Sequence, residues 1–346
     1  MKIPKSVEGA KRFDEENGNT LCWDAICKEM KNVRPAFEVW EKEISDLPPG
    51  YQHITGHMIF DVKMGENFRR KARLVADGHK TQTPASLTYS SVVSRDSVRI
   101  ALTIAALNDL DIMACDIQNA YLTAERRERA WMVAGPEFGS EAGQNMIVKK
   151  ALYGLKSSGA ACRAQLAETL DAMRYKPSYA DPDVWLRPAV KPDGSEYYEY
   201  ILCYVDDVLS ISHDPKKSMR RIQDDFKLKD DKIAPPDVYL GATIEKMVTP
   251  NGKSCWSMSP EQHVKAAVAN VEEELARHGK RLPGKCVTPF SSGHAQWLDV
   301  TPELKADGVQ RFQELIGQLR WAIEIGRLDM LLETSLLSSY LAIMPR

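Results

Sequence analysis

Apolar and polar positions follow two rhythms along this chain. Between His57 and Ala76 the period is two: Met58, Phe60 and Val62 alternate with His57, Asp61 and Lys63. Met64-Gly65-Glu66-Asn67 supplies a turn, and a second run through Leu74 and Val75 completes a predicted hairpin. Elsewhere the period is that of a helix. Trp23, Ile26, Cys27 and Met30 predict a helix over Trp23 to Lys31, ended before Pro35. Val98, Ala101, Leu102 and Ala105 predict another from Asp96 to Leu107, capped by Ser94 or Asp96. Further helices are expected over Ala160 to Met173, Pro215 to Phe226, Pro260 to His278 and Gln310 to Ile325, the last two separated by Pro283-Gly284 and Ser291-Ser292-Gly293. Strands are expected at Ile112 to Ile117 and Val238 to Ile244, and the chain beyond about Thr249 reads as mainly helical. The first twenty residues, with Glu15-Glu16-Asn17-Gly18-Asn19, read as a loose arm.

One apolar run is interrupted by charge. Asp206 and Asp207 stand between Ile201-Leu202-Cys203-Tyr204-Val205 and Val208-Leu209-Ser210-Ile211, a pattern of a buried strand, a hairpin or both. Adjacent ionised carboxylates repel, and burying them without a cation is prohibitively costly. The pair therefore asks for a divalent metal, and a third carboxylate is needed to hold two ions. Asp116, closing the apolar strand Ile112-Met113-Ala114-Cys115, is the best candidate. Pattern alone leaves two plainer readings open: Asp116 as a cap for the turn over Gln118 to Leu122, and Asp206-Asp207 as a surface turn.

Composition narrows the class without choosing the chemistry. The 346 residues are 43% hydrophobic, enough for a sizeable core and unlike a disordered chain. A net charge of −2 gives no global signal of nucleic-acid binding, although charge is organised locally. Between Asp61 and Lys80 the basic residues are Lys63, Arg69, Arg70, Lys71, Arg73 and Lys80, which suits a solvated hairpin face as well as a phosphate-binding one. The cysteines, Cys22, Cys27, Cys115, Cys162, Cys203, Cys255 and Cys286, form no CxxC pair and predict reduced thiols in an intracellular protein. Met1 to Asn19 lacks the apolar core of a signal peptide, and no stretch is apolar enough to span a bilayer, so a soluble protein is expected.

Six blocks in order carry a resemblance. Tyr204-Val205-Asp206-Asp207 resembles the catalytic box of reverse transcriptases, and Lys71-Ala72-Arg73-Leu74-Val75-Ala76-Asp77-Gly78 the fingers motif of the copia-type LTR retrotransposon enzymes. Asp116-Ile117-Gln118-Asn119-Ala120-Tyr121-Leu122 is similar to their first catalytic aspartate motif, Ala151-Leu152-Tyr153-Gly154-Leu155-Lys156 to the next block, and Tyr239-Leu240-Gly241 to one further downstream. Gly317-Gln318-Leu319-Arg320-Trp321 and Gly326-Arg327-Leu328-Asp329 resemble the segment after the thumb.

The resemblance implies an α+β right-hand polymerase, with a palm sheet carrying helices on one face. Residues 1–22 would be a flexible arm, 23–109 fingers, 110–247 the palm (with a fingers contribution near 150–160), and 248–346 a helical thumb and the start of the connection. The implied activity is RNA-directed DNA synthesis, extending a primer with deoxynucleoside triphosphates on an RNA or DNA template. Asp116, Asp206 and Asp207, with the carbonyl of Ile117, would hold two magnesium ions, for which manganese is a possible substitute. One ion would acidify the primer 3′-hydroxyl and the other would steady the triphosphate and pyrophosphate. Lys71 and Arg73 would contact the triphosphate. Tyr121 would pack under the incoming sugar and exclude a ribose 2′-hydroxyl. Tyr153, Gly154 and Lys156 would support nucleotide and template, and Tyr204 would lie near the primer terminus. The family further suggests a tRNA primer and a cytoplasmic setting within a virus-like particle.

Two positions depart from the family. Ser157-Ser158-Gly159 follows Lys156 where Gln is common, and Cys162 stands where a large aromatic is frequent. No Asp-Thr-Gly or Asp-Ser-Gly protease box, integrase-type His/Cys array or RNase H carboxylate set is recognisable, and the chain stops at Met344-Pro345-Arg346. A polymerase segment of a larger product, or a truncated genomic copy, is the expectation. The competing reading is a catalytically silent retroelement remnant that at most binds nucleic acid; a metal-dependent nuclease is disfavoured.

Overall fold

Helix α1 (Val7–Asn17) occupies the stretch expected to be a loose arm. Ser6 caps it by accepting from the Gly9 amide at 3.0 Å, and Gly18 ends it at φ 62°, a left-handed conformation that glycine adopts cheaply. Asp14 explains why this charged segment is ordered. Its buried carboxylate accepts from the amides of Cys22 (3.0 Å) and Trp23 (2.8 Å), so a side chain of α1 caps the start of α2 (Leu21–Val33). The computed structural model describes residues 3–63, 69–85, 88–284, 290 and 302–343. It divides into two packed units: Met1–Val93, Ala114–Ser210 and Asp214–Ile233 form the first, and Ser94–Met113, Ile211–His213 and Ala234–Arg346 the second.

In the first unit, α2 buries Cys22, Ile26, Met30 and Val33, whereas Cys27, placed on the apolar face by the sequence pattern, is exposed. Strand β1 (Phe37–Val39) joins β2 (Gln52–His53), β6 (Ala130–Val133) and β7 (Asn145–Val148) in a four-stranded sheet ordered β1-β7-β6-β2, which the sequence pattern did not indicate. The predicted hairpin is present as β3 (Gly56–Lys63) and β4 (Arg69–Ala76), with Met58 opposite Leu74 and Phe60 opposite Ala72. Its predicted turn, Met64 to Asn67, lies outside the described residues. Ala72, Leu74 and Ala76 enter the core, and period-two geometry puts Lys71 and Arg73 on the opposite face of β4.

The second sheet of this unit has the order β5-β11-β10-β9-β8, from β5 (Asp111–Asp116), β8 (Lys176–Pro177), β9 (Val184–Val190), β10 (Glu196–Tyr204) and β11 (Asp207–Ser212). Helices α4 (Ala120–Thr123), α5 (Ser158–Ala172) and α6 (Pro215–Asp225) accompany it. Met219 of α6 touches Cys115 of β5 at 3.4 Å. The hydroxyl of Tyr175 joins Ser218 of α6 at 2.8 Å and Glu199 of β10 at 3.1 Å, and Arg187 of β9 pairs with Glu199. A buried carboxylate is tolerated here because it is fully partnered.

The second unit contains α3 (Arg95–Leu107), which lies against the three-stranded sheet of β12 (Val238–Tyr239), β13 (Ala242–Val248) and β14 (Ser254–Ser259). The single strand expected over Val238 to Ile244 is two strands, turned by Leu240 (φ 50°) and Gly241 (φ 77°). The third, β14, falls just before the predicted helix at Pro260, in a stretch expected to be mainly helical. Helices α7 (Glu261–Arg277), α8 (Ala306–Ile325) and α9 (Leu331–Ser339) complete the unit. Gly241 lies against Trp321 of α8, where a Cβ would come within 3.2 Å of the indole. That contact explains why two separate sequence blocks belong together. Among the described residues no helix is long and apolar enough to cross a membrane.

Candidate active site

The aspartate pair sits at a two-residue turn. Strand β10 ends at Tyr204, Val205 and Asp206 make the turn, and β11 begins at Asp207. Val205 takes φ 58°, a strained conformation for a β-branched residue. Such strain persists where the surroundings over-determine it. They do so here: the Ile117 amide donates to the Asp206 carbonyl at 2.8 Å, locking the end of β5 to the turn. Ile117 also bridges to Leu228, and the Gln118 amide donates to the Lys227 carbonyl at 2.9 Å. Asp116, Asp206 and Asp207 are thereby brought into one neighbourhood from distant parts of the chain.

The three acids influence one another's charge. Burial pushes the Asp207 carboxyl up to about 6, and the charges of Asp206 and Asp116 add to the shift. Burial also raises Asp206, with Asp116 contributing, while Lys71 and Arg73 oppose the rise. The two basic residues of β4 thus act on Asp206 through space. Tyr204 is exposed at the lip of the turn.

Asp116 does not cap the following turn. Helix α4 begins after Asn119 without a side-chain cap, and Asp116 Oδ2 instead accepts from Lys229 Nζ at 2.9 Å. The three carboxylates therefore do not form a ready ligand cluster, and no such group of three or more is present among the described residues. Their chemistry still fits a hard divalent cation: all donors are oxygens, and a cation would offset the burial and the mutual repulsion that together lift Asp207. Lys229 supplies positive charge at this point. Nothing in the charged run Lys227 to Lys232 marks it in the sequence; the Ile117–Leu228 bridge brings it to Asp116.

An aromatic wall stands nearby. The rings of Tyr121 and Tyr153 meet edge to face, 4.9 Å apart. Burial raises both phenols, Tyr153 to about 12, and the charge of Asp206 contributes in each case. Tyr153 belongs to a segment interlocked with β4. The Ala76 amide donates to the Tyr153 carbonyl at 2.7 Å. A Cβ on Gly154 would lie 2.0 Å from the Ala76 carbonyl oxygen, and one on Gly78 would lie 2.3 Å from the Gly154 carbonyl oxygen. Backbone touches backbone here, which only glycine allows.

Asp77, beside this junction, accepts from Lys80 at 2.9 Å and from Thr55, and lies 2.9 Å from His57 Nδ1. The Thr55 hydrogen bond and the Lys80 charge hold its carboxyl down at about 2. Lys156 donates its ammonium to the Thr81 carbonyl. The unusual Ser157-Ser158-Gly159 is a clasp: Ser158 Oγ accepts from the Leu152 amide (3.0 Å) and donates to its carbonyl (2.8 Å). Ser157 is buried, and a Cβ on Gly159 would lie 3.8 Å from the Tyr121 ring. Cys162 is also buried, its thiol pushed up to about 12 by that burial, and the six described cysteines are free.

The family model described as reverse transcriptase (RNA-dependent DNA polymerase) matches residues 37–253, more than half of the chain. The chain is 25% identical over 332 residues to the retrovirus-related Pol polyprotein of transposon TNT 1-94 from Nicotiana tabacum, covering 90% of this chain and 24% of that protein. It is 31% identical over 195 residues to the Pol polyprotein of transposon RE1 from Arabidopsis thaliana, covering 53% of this chain and 13% of that one. Among solved structures, a foamy viral protease-reverse transcriptase in complex with double-stranded DNA matches with a TM-score of 0.43 and 12% identity, over 86% of this chain and 40% of that one. The chain thus spans about a quarter or less of the curated Pol relatives. It belongs to the reverse transcriptase (RNA-dependent DNA polymerase) family and is a distant relative of the copia-type retrotransposon Pol polyproteins.

Proposed function

We propose that this chain is the polymerase part of a copia-type reverse transcriptase, adding deoxynucleotides to a primer paired with an RNA or DNA template. The observation that carries this reading is the lock between Ile117 and Asp206, which unites Asp116 with the Asp206-Asp207 turn beside Lys71 and Arg73. Residues 23–109 would serve as fingers, 110–247 as palm with a fingers contribution near 150–160, and 248–346 as the helical thumb and the start of the connection.

Asp116, Asp206 and Asp207 would hold the divalent ions, with the Ile117 carbonyl as a further donor. Bound there, magnesium supplies Lewis-acid polarisation of the primer hydroxyl and of the phosphates. Arg73 engages phosphate oxygens through its planar fork, and Lys71 adds a point charge on the same face of β4. Tyr121, braced by Tyr153, presents a rigid ring against the sugar and excludes a 2′-hydroxyl. Tyr153, Gly154 and Tyr204 border the paths of template and primer. Lys156 joins that set by fixing the loop at Thr81. A tRNA primer and a virus-like particle belong to the same reading.

The second reading, a silent remnant that binds nucleic acid, draws on the Lys229–Asp116 pair standing where a metal is needed. Primer extension on poly(rA)/oligo(dT) with magnesium or manganese separates the two. The polymerase reading expects extension by wild type and at least a thousandfold loss in Asp206→Ala; well-folded wild type without extension overturns it.

A further inference from the structure

Glu128 is 5% exposed, and its carboxylate has no cation within ion-pair distance among the described residues. A buried carboxyl group without a countercharge depends on its hydrogen bonds, and these tie separate segments together. Oε1 accepts from the Ser157 amide at 2.7 Å, and Oε2 faces the Thr81 hydroxyl at 3.4 Å. The Thr81 hydroxyl donates mainly to the Gly78 carbonyl at 2.8 Å, sharing its single proton weakly with Oε2, while the Thr81 carbonyl accepts from Lys156. One side chain therefore reaches three separate segments: the loop after β4, the stretch between α4 and β6 on which it stands, and the entry to α5.

Those segments frame the aromatic wall. Tyr153 and Gly154 lie just before Ser157, locked to Ala76 and Gly78, and Gly159 follows against the Tyr121 ring. Lys71 and Arg73 precede Ala76 on the same strand. A shift at Ser157 would pass to both tyrosines and to the basic face of β4.

We propose that Glu128 is a positioning residue for the incoming nucleotide: it ties the Ser157 turn to the Thr81 loop and so fixes Tyr121 and Tyr153 relative to Lys71 and Arg73. The proposal rests on the polymerase reading. Glutamine satisfies both ties, since its amide oxygen accepts from Ser157 and its amide group donates to Thr81 Oγ1. Aspartate is one methylene too short to hold both, and alanine holds neither.

The test pairs kinetics with hydrogen exchange in Glu128→Gln, Glu128→Asp and Glu128→Ala. The KM for TTP is expected to rise at least fivefold in the aspartate and alanine variants, with kcat within about twofold, and to stay within twofold in Glu128→Gln. Amide exchange over residues 153–159 is expected to accelerate at least tenfold in the first two and to remain slow in the third. Unchanged KM in a folded Glu128→Asp variant overturns the proposal, as does Glu128→Gln behaving like Glu128→Ala, or exchange that stays slow in Glu128→Asp. An inactive wild type that shows the expected exchange pattern would sink the polymerase reading while supporting the tie.

Discussion

Single residues at the site are held by opposing forces that a pH titration separates. Burial, with the charges of Asp206 and Asp116, pushes the Asp207 carboxyl up to about 6, above the ordinary value of about 4 expected when unfolded. The folded state therefore binds its proton more tightly, and metal-free stability falls as pH rises from about 4 through about 6. With allowance for solvent screening the loss should be on the order of 1–2 kcal/mol, and Asp207→Asn should flatten it in urea unfolding measured between pH 4 and 8. Gly154 offers a steric counterpart. At φ 91° and 2.0 Å from the Ala76 oxygen, any Cβ forces the two blocks apart, so Gly154→Ala should cost about 3 kcal/mol or more by the same measurement. Tyr121→Ala should admit ribonucleotides if its ring guards the sugar; unchanged sugar selection in an active variant would remove that role. These side chains were legible from their motifs. Lys229 and Glu128 were not, because one lies in a run of ordinary surface charge and the other acquires meaning only from its burial.

At the scale of elements, the informative cases are those where a side chain of one element completes another. Asp14 is read locally as part of a charged arm, yet it caps α2 across the turn at Gly18. Asp14→Ala should cost about 1–2 kcal/mol and speed amide exchange in both helices. The β12–β13 turn failed for a related reason. Gly241 permits a positive φ, but nothing local tells Leu240 to adopt one; the pairing of Val238 with Thr243 does. Strand β14 was missed because half-buried Ser-Cys-Trp-Ser-Met-Ser gives a weak alternation, decided by its partner β13. The segment after α6 shows the same dependence. Lys229 reaches Asp116 only through the Ile117–Leu228 bridge, and Lys229→Met should strengthen manganese binding up to about fivefold at low salt, the range of an exposed ion pair. Direct manganese titration by electron paramagnetic resonance checks this; weaker binding would mean that Lys229 supports the site instead of competing for it.

For the whole molecule, the consequence of buried carboxylates that repel one another at the turn is a fold that a divalent ion should stabilise. At ten times its Kd, a bound ion should add about 1.4 kcal/mol, seen as a rise in Tm that Asp206→Asn and Asp207→Asn abolish. The chain's own sequence determined helices α2, α3 and α5 to α8 and the β3–β4 hairpin, and allowed a hairpin at Asp206-Asp207, because period and capping are local properties. Ordered motifs also determined the family, since six blocks in sequence are specific where each alone is weak. Tertiary structure decided the rest: the four-stranded sheet, the backbone lock of Ile117 on Asp206, the glycine interlock and the buried reach of Glu128. The physical reason is the range of the forces involved. Backbone propensity acts within a few residues, but a carboxylate's charge, its burial and its partners depend on segments far apart in the chain. The aspartates could be named from the sequence; only the fold shows that Asp116 already holds a lysine.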